Sequence, residues 1–161
     1  MQSSSRISLA TRWMVHQKYT ASEYYHIINY GIGGQIEVHV DYWGPGKYDT
    51  HPGGDRKVTL LGYASTPVGG RTIFPSLGLS VKPEKGDSLF WLTLTNDRNF
   101  DTRMYHMGCP VVYGHKWILT KWLYSDDQMF HHSCSKKAGE NFPRFSNQQR
   151  FQPNFNLILD E

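Results

Sequence analysis

A histidine and an aspartate stand two residues apart in a segment of alternating polarity, as His39-Val40-Asp41. In an extended strand, residues i and i+2 point to the same side, so this imidazole and carboxylate would converge. Two histidines and one carboxylate can hold an iron(II) ion and leave positions open for substrate and dioxygen. His106 is the candidate for the distant histidine. Taken alone, the pair could also be a polar strand face, and His106 a hydrogen-bonded histidine at a strand end.

A lysine at position 116 begins the mostly apolar segment KWILTKWLY. In a strand, it shares its face with every second residue that follows, namely Ile118, Thr120 and Trp122. A lysine that faces an interior is costly unless an anion pairs with it, and a bound dicarboxylate would supply that anion. The hydroxyl groups of Tyr30 and Thr72 could help to hold such a ligand. Lys121 lies on the opposite face, so one of the two lysines must be on the outside of the sheet. If that one is Lys116, it is simply solvated.

The two cysteines, Cys109 and Cys134, allow a competing interpretation. Together with His131 and His132 they contain the ligand types of a zinc site, but no C-x₂-C pair is present. Two cysteines would usually stay free in an intracellular protein and pair in an exported one. Composition does not choose between these states.

Short segments separated by glycine and proline turns must position these side chains. Strands are predicted at residues 34–43, 57–65, 72–74, 79–81, 88–95, 106–112 and 116–124. In the first strand one face would carry Ile36 and Val38, and the other His39 and Asp41. A turn is predicted at 68–70, a long loop at 44–55, and weak helical character at 21–28. The pattern favours an all-β jelly roll with a minor flanking helix over an α/β fold.

Length and charge restrict the function classes. The chain has 161 residues, enough for one domain with a core, and a net charge of only +3. That charge gives no case for binding nucleic acid. No apolar run approaches the about 18 residues of a membrane span, and the N-terminus lacks the apolar core of a secretory signal. We therefore expect a chain that is not exported or is incomplete, with an N-terminal segment (1–23), a domain (24–134) and a polar tail (135–161).

Four segments share the order and spacing of one family. They are NYGIGGQ (29–35) leading to His39-Val40-Asp41, GGRTIFP (69–75), VKPEKG (81–86) with FW (90–91), and DTRMYHMGCPVVYGHKWILTKW (101–122). Residues 24–134 thereby resemble the catalytic domain of collagen prolyl 4-hydroxylase α subunits, which are iron(II)- and 2-oxoglutarate-dependent dioxygenases. The resemblance implies a double-stranded β-helix, the jelly roll of these enzymes.

The resemblance also implies roles for individual residues. The iron ligands would be His39, Asp41 and His106. Lys116 would pair with the distal carboxylate of 2-oxoglutarate, assisted by Tyr30 and Thr72, with Trp122 as a further co-substrate contact. Arg56 and Trp122 match positions near the peptide substrate. Cys109 and Cys134 match a disulfide-bonded pair, which supports an endoplasmic reticulum setting. Candidate pocket walls are Tyr63, Trp91 and Trp122, although Trp91 is better explained by core packing.

The implied activity is hydroxylation of peptidyl proline at C4, with L-ascorbate restoring oxidised iron. Proline-rich or collagen-like peptides are the implied substrates, and protein disulfide isomerase is a possible partner subunit. The family has tyrosine where this chain has Ile36, and proline where it has Val38. The chain also begins only 38 residues before His39, which suggests a short or truncated member. Two alternatives stay open: an oxygenase of another peptide, and a non-catalytic jelly-roll subunit.

Overall fold

The structure, a computed structural model, describes residues 22–46, 53–95 and 97–126. These residues form ten β-strands: β1 (His26–Tyr30), β2 (Ile36–His39), β3 (Arg56–Tyr63), β4 (Val68–Gly69), β5 (Thr72–Phe74), β6 (Leu79–Val81), β7 (Ser88–Leu92), β8 (His106–Gly108), β9 (Val111–Tyr113) and β10 (Lys116–Tyr124). Two one-turn 3-10 helices, Pro75–Leu77 and Thr102–Met104, join them, and the described ranges contain no α-helix.

The strands form two four-stranded sheets. Sheet A has the order β1-β10-β3-β7, sheet B has the order β2-β8-β5-β6, and β4 pairs with β9 separately. All pairs are antiparallel, and most neighbours in a sheet are distant in the chain. This topology confirms the predicted all-β jelly roll. It also brings β8 beside β2, so the two predicted histidine positions become neighbours.

The core is formed largely by inward-facing side chains of the two sheets, Leu61, Tyr63, Phe74, Leu89, Trp91 and Ile118. Every second residue of β10 from Lys116 to Thr120 is buried, as the alternation predicted. Strand β3 lies inside sheet A between β10 and β7, and both of its faces are largely buried.

Several predicted elements have the observed bounds, and others do not. Strands β5, β6 and β10 begin and end where they were predicted. The helical character expected at 21–28 is wrong, because the apolar residues of β1 gain a partner in β10 and form an edge strand. The turn expected at 68–70 contains β4. The single strand expected at 106–112 is two strands, because Pro110 cannot donate a ladder hydrogen bond.

Lys121 is the outward-facing one of the two lysines on β10, as the alternation predicted, but little of it contacts solvent. Lys121 lies on the outer face of sheet A, yet only 7% of it is exposed. Its ammonium group donates to the Glu23 carbonyl oxygen (2.5 Å) and lies 4.7 Å from the centroid of the Tyr25 ring. The segment before β1 therefore covers this lysine, and burial lowers its pKa.

No helix in the described part of the chain is long and apolar enough to cross a bilayer.

Candidate metal and co-substrate site

The three predicted metal ligands lie together at one edge of sheet B. His39 ends β2 and pairs in register with His106 at the start of β8, and the centroids of the two imidazole rings are 4.2 Å apart. Asp41 follows two residues after β2. One ligand atom from each of the three side chains lies within 4.8 Å of the other two. The predicted convergence of these side chains is therefore what the structure shows.

Hydrogen bonds select the ring nitrogen that each histidine offers. Nδ1 of His39 lies 2.8 Å from the Glu37 carbonyl oxygen, and Nδ1 of His106 lies 3.0 Å from that of Met104. Because a carbonyl oxygen can only accept, each Nδ1 carries a proton, and Nε2 is the nitrogen that each ring can offer to a metal. The Nε2 atoms lie 3.9 Å and 3.8 Å from the Asp41 carboxylate oxygens. Two imidazole Nε2 atoms and a carboxylate fit the requirements of iron(II).

The two histidines differ in their surroundings. The His106 side chain is 6% exposed, whereas that of His39 is 30% exposed. His106 packs against the rings of Phe74 and Trp91, with centroids at 5.4 Å and 4.8 Å. Burial lowers the pKa of His106, an effect that the Asp41 carboxylate partly opposes. His106 is thereby kept neutral, as a metal ligand must be, and His39 lies on the open side of the site.

A β-bulge in β2 changes which side chains face the pocket. Ile36 pairs with Gly108 and His39 with His106, so three steps along β2 correspond to two steps along β8. An extra residue in one strand turns the following side chains to the other side. Ile36 and His39 therefore line the same pocket. The prediction that they occupy opposite faces is wrong.

Lys116 reaches the same pocket from sheet A. It is 4% exposed, and its Nζ atom lies 5.6 Å and 5.9 Å from the ring centroids of Tyr30 and Tyr63. No acidic side chain among the described residues forms an ion pair with it. Burial lowers the pKa of Lys116 from 10.5 to about 8. A buried ammonium group of this kind is a binding point for an anionic ligand.

Hydroxyl groups surround the Lys116 end of the pocket. The Tyr63 hydroxyl donates to Thr72 Oγ1 at 2.7 Å, which leaves the Thr72 proton available to a ligand. Burial raises the pKa of Tyr63 to about 12, so the phenol keeps its proton. Tyr30 is half-buried and lines the pocket beside them. Tyr30 and Thr72 both line the pocket, whereas Tyr63, predicted as a pocket wall, is not one of the described residues that line it and contacts Thr72 from the core.

The pocket runs between the two sheets and has a volume of about 250 Å³. All four predicted residues on the inner face of β10 line it, namely Lys116, Ile118, Thr120 and Trp122. Lys116 and Trp122 are six strand positions apart, which corresponds to about 20 Å along the chain. The predicted pocket wall Trp91 also lines it, while belonging to the core.

Arg56 and Trp122 lie together, away from Lys116 on the same pocket. The Arg56 guanidinium lies 3.7 Å from the centroid of the Trp122 ring. Its Nε and Nη2 atoms donate to the two carboxylate oxygens of Glu23 at 2.6 Å and 2.9 Å. This bidentate pairing and the stacking hold the guanidinium in one orientation. The sequence interpretation missed Glu23, which no local pattern connects with Arg56.

Two further residues of the site were not predicted. Gly108 lies against the pocket, and an added Cβ atom there would be 2.9 Å from Ile36 Cγ2 and 3.5 Å from Lys116 Nζ. Thr59 donates a hydrogen bond to Asp41. The signal for Thr59 is its place in the alternating series of β3, on the same face as Tyr63. Nothing local shows which carboxylate it meets.

The cysteine predictions concern residues that are mostly outside the described ranges. Cys109 is half-buried and forms no disulfide with a residue that the structure describes. Cys134, His131 and His132 lie outside those residues. The disulfide therefore stays a prediction, and so does the competing zinc interpretation.

Comparison with known proteins gives consistent results. Human prolyl 4-hydroxylase subunit alpha-1 is 36% identical over 135 residues, which cover 81% of this chain and 25% of that protein. Prolyl 4-hydroxylase subunit alpha-2 of Caenorhabditis elegans is 39% identical over 127 residues, 75% of this chain and 24% of that protein. The chain thus spans about a quarter of the length of these relatives.

A solved structure supports the same fold. The viral collagen prolyl hydroxylase of Paramecium Bursaria Chlorella virus-1, in its 2OG complex, superposes with a TM-score of 0.60. The sequences are 27% identical, and the match covers 75% of this chain and 72% of the viral one. The family model of the 2OG-Fe(II) oxygenase superfamily matches residues 25–124, a range that includes all three candidate metal ligands. The chain therefore belongs to the 2OG-Fe(II) oxygenase superfamily.

Proposed function

We propose that this protein hydroxylates peptidyl proline at C4, using iron(II) and 2-oxoglutarate. The observation that carries the proposal is a single pocket containing both a two-histidine, one-carboxylate set and a buried ammonium group without an acidic partner among the described residues. The first fits the metal and the second fits a dicarboxylate co-substrate. The similarity to prolyl 4-hydroxylase α subunits supports proline as the target.

The chain's own residues would divide the work as follows. Nε2 of His39, Nε2 of His106 and the Asp41 carboxylate would hold the metal. When bound, iron(II) supplies the activation of dioxygen, coupled to oxidative decarboxylation of 2-oxoglutarate. The Lys116 ammonium would bind the C5 carboxylate of the co-substrate. A charge-assisted contact in a water-poor pocket orients a ligand strongly.

Two hydroxyl groups would assist Lys116. Thr72 can donate its proton to the carboxylate, because its oxygen already accepts from Tyr63. Tyr30 would contribute from β1. Together these groups would turn the co-substrate toward the metal ligands and exclude water from that end of the pocket.

Arg56 and Trp122 would contact the peptide. Aromatic surfaces are the usual docking sites of proline-rich segments, and the guanidinium beside the indole adds hydrogen-bond donors. Of the two roles predicted for Trp122, peptide contact is the one its position supports, because six strand positions separate it from Lys116. A ligand as short as 2-oxoglutarate would not reach both residues.

The remaining features of the proposal follow from the family resemblance. L-Ascorbate would restore iron that is oxidised without peptide turnover, and residues 24–134 would be the catalytic domain. The relatives are named as α subunits, which supports a partner subunit such as protein disulfide isomerase. A Cys109–Cys134 disulfide and residence in the endoplasmic reticulum lumen belong to the same proposal.

The test is mass spectrometry of a peptide of Pro-Pro-Gly repeats after aerobic incubation with the protein, iron(II), 2-oxoglutarate and ascorbate. We expect the peptide to gain the mass of one oxygen atom on proline. Stoichiometric succinate should accompany it. The His106→Ala variant is the matched control and should form neither product, because it lacks one metal ligand.

Two other outcomes would contradict the proposal in different ways. Succinate without a hydroxylated peptide would point to another peptide substrate, the alternative that Ile36 motivates. Absence of both products from a protein that binds iron and 2-oxoglutarate would favour the non-catalytic jelly-roll subunit. The retained ligand geometry argues against this second alternative.

A further inference from the structure

Thr59 occupies the centre of the molecule without a role in the function described so far. It lies in the middle of β3, paired with Trp122 on one side and with Trp91 on the other. None of its surface is exposed to solvent. A threonine in this position buries a hydroxyl group, which is costly unless that group is hydrogen-bonded.

The hydroxyl group of Thr59 donates to Oδ2 of Asp41 at 2.6 Å. Asp41 is itself 5% exposed and lies two residues beyond the end of β2, where no strand ladder constrains it. Among the described residues, no other hydroxyl or N–H group donates to this carboxylate. Its orientation therefore depends on the one bond from β3.

The bond makes the two carboxylate oxygens different. Oδ2 accepts from Thr59 and lies 3.8 Å from Nε2 of His106, whereas Oδ1 lies 3.9 Å from Nε2 of His39. Oδ1 has no hydrogen-bond donor among the described residues. The carboxylate thus has one oxygen occupied and one oxygen free.

We propose that Thr59 is a positioning residue for the metal centre: its hydroxyl holds Oδ2 of Asp41 and thereby presents Oδ1 to the metal. This inference rests on the proposed function, because it concerns the same site. It adds a residue on sheet A that orients a ligand attached to sheet B, so the two sheets are connected through the metal centre.

The chemistry of the two side chains explains why threonine suits this role. The terminal torsion of an aspartate is broad, so a carboxylate turns easily unless something holds it. Threonine is β-branched and has a restricted first torsion, and here its backbone belongs to the interior of a sheet. A hydroxyl bonded to a charged oxygen gives a short and strong contact. Partners of metal ligands of this kind typically change metal affinity about 10–100-fold when they are removed.

The test compares Mn(II) binding by four forms of the full chain in the presence of 2-oxoglutarate. Free Mn(II) is counted by its electron paramagnetic resonance signal, so the measurement needs no turnover. We expect Thr59→Val, which keeps the shape but loses the hydroxyl, to raise the Mn(II) dissociation constant about 10–100-fold. Thr59→Ser, which keeps the hydroxyl, should raise the Mn(II) dissociation constant by less than about tenfold.

Thr93 offers a matched control. It is also fully buried in the same region of the fold, but its hydroxyl has no hydrogen-bond partner among the residues that the structure describes. Thr93→Val makes the same chemical change without touching Asp41. Its Mn(II) dissociation constant should equal that of the wild type.

Several outcomes would overturn the inference. One is that Thr59→Val binds Mn(II) as tightly as the wild type. Another is that Thr59→Ser loses as much Mn(II) affinity as Thr59→Val. If Thr59→Val does not fold, Thr59→Ala takes its place in the same comparison with Thr59→Ser. A wild-type protein that binds no Mn(II) would instead refute the metal centre itself, which separates failure of this inference from failure of the proposed function.

Discussion

Replacing Lys116 with methionine should stabilise the ligand-free protein and weaken its binding of 2-oxoglutarate. Methionine has a similar volume and no charge, so the pocket keeps its packing. Burial lowers the pKa of Lys116 from 10.5 to about 8, which corresponds to about 3 kcal/mol of unfavourable free energy for the charged form. Because solvent screening reduces an electrostatic cost of this kind, we expect a gain in unfolding free energy of about 1–3 kcal/mol at pH 7.

The pH dependence of this effect has a defined direction. The pKa of the folded protein is lower than that of the unfolded chain, so the unfolded chain binds more protons between pH 8 and 10.5. The loss of unfolding free energy caused by the buried Lys116 charge is therefore largest below pH 8. It decreases as the pH rises and disappears above pH 10.5. The stability advantage of Lys116→Met should follow the same course.

Urea unfolding of both proteins, with metal and co-substrate absent, measures the stability difference. Lys85→Met is the control, because Lys85 is exposed and its replacement should change stability by less than about 0.5 kcal/mol. Calorimetric titration with 2-oxoglutarate and Mn(II) should show binding weakened by about 10–100-fold in Lys116→Met. Equal stability of the two proteins at pH 7, or an advantage that persists above pH 10.5, would refute this reasoning.

Three further substitutions test other parts of the structure. Gly108→Ala places a Cβ atom 2.9 Å from Ile36 Cγ2. It should raise the 2-oxoglutarate dissociation constant about tenfold in calorimetry and leave metal affinity unchanged. Equal co-substrate affinity of variant and wild type would contradict this prediction. Asp55→Ala leaves three backbone N–H groups without their acceptor. It should lower the free energy of unfolding, measured in urea, by about 2–4 kcal/mol. A decrease below about 1 kcal/mol would argue against this structural role of Asp55. Arg56→Lys loses the bidentate contact with Glu23. It should raise the peptide KM and leave 2-oxoglutarate binding unchanged. An unchanged peptide KM would exclude Arg56 from the peptide site.

Local patterns in the sequence were sufficient for part of the fold and part of the site. The alternation along β10 predicted that Lys116 shares an inner face with Ile118, Thr120 and Trp122, and all four line the pocket. The spacing of His39 and Asp41 predicted that they converge. The prediction for β10 succeeds because the direction of a side chain in a strand depends on the neighbouring backbone alone. Asp41 lies beyond the end of β2, so its orientation also depends on the hydrogen bond from Thr59.

Other features depend on which strands meet. The bulge between Ile36 and His39 exists because β2 pairs with β8, and it reverses the predicted face of Ile36. The alternation placed Lys116 and Lys121 on opposite faces, but it did not show that the segment before β1 covers Lys121. Pairing between distant segments leaves no periodic signal in the chain, so these positions could not be predicted from composition or alternation.

The sequence by itself determined the types of ligand, their order and the direction of each within its strand. Only the tertiary structure decided that His106 lies opposite His39, that a lysine from one sheet shares a pocket with ligands from the other, and that Thr59 holds Asp41. The physical reason is that covalent geometry orients a side chain locally, whereas antiparallel pairing and sheet packing set the distances between segments that are far apart in the chain.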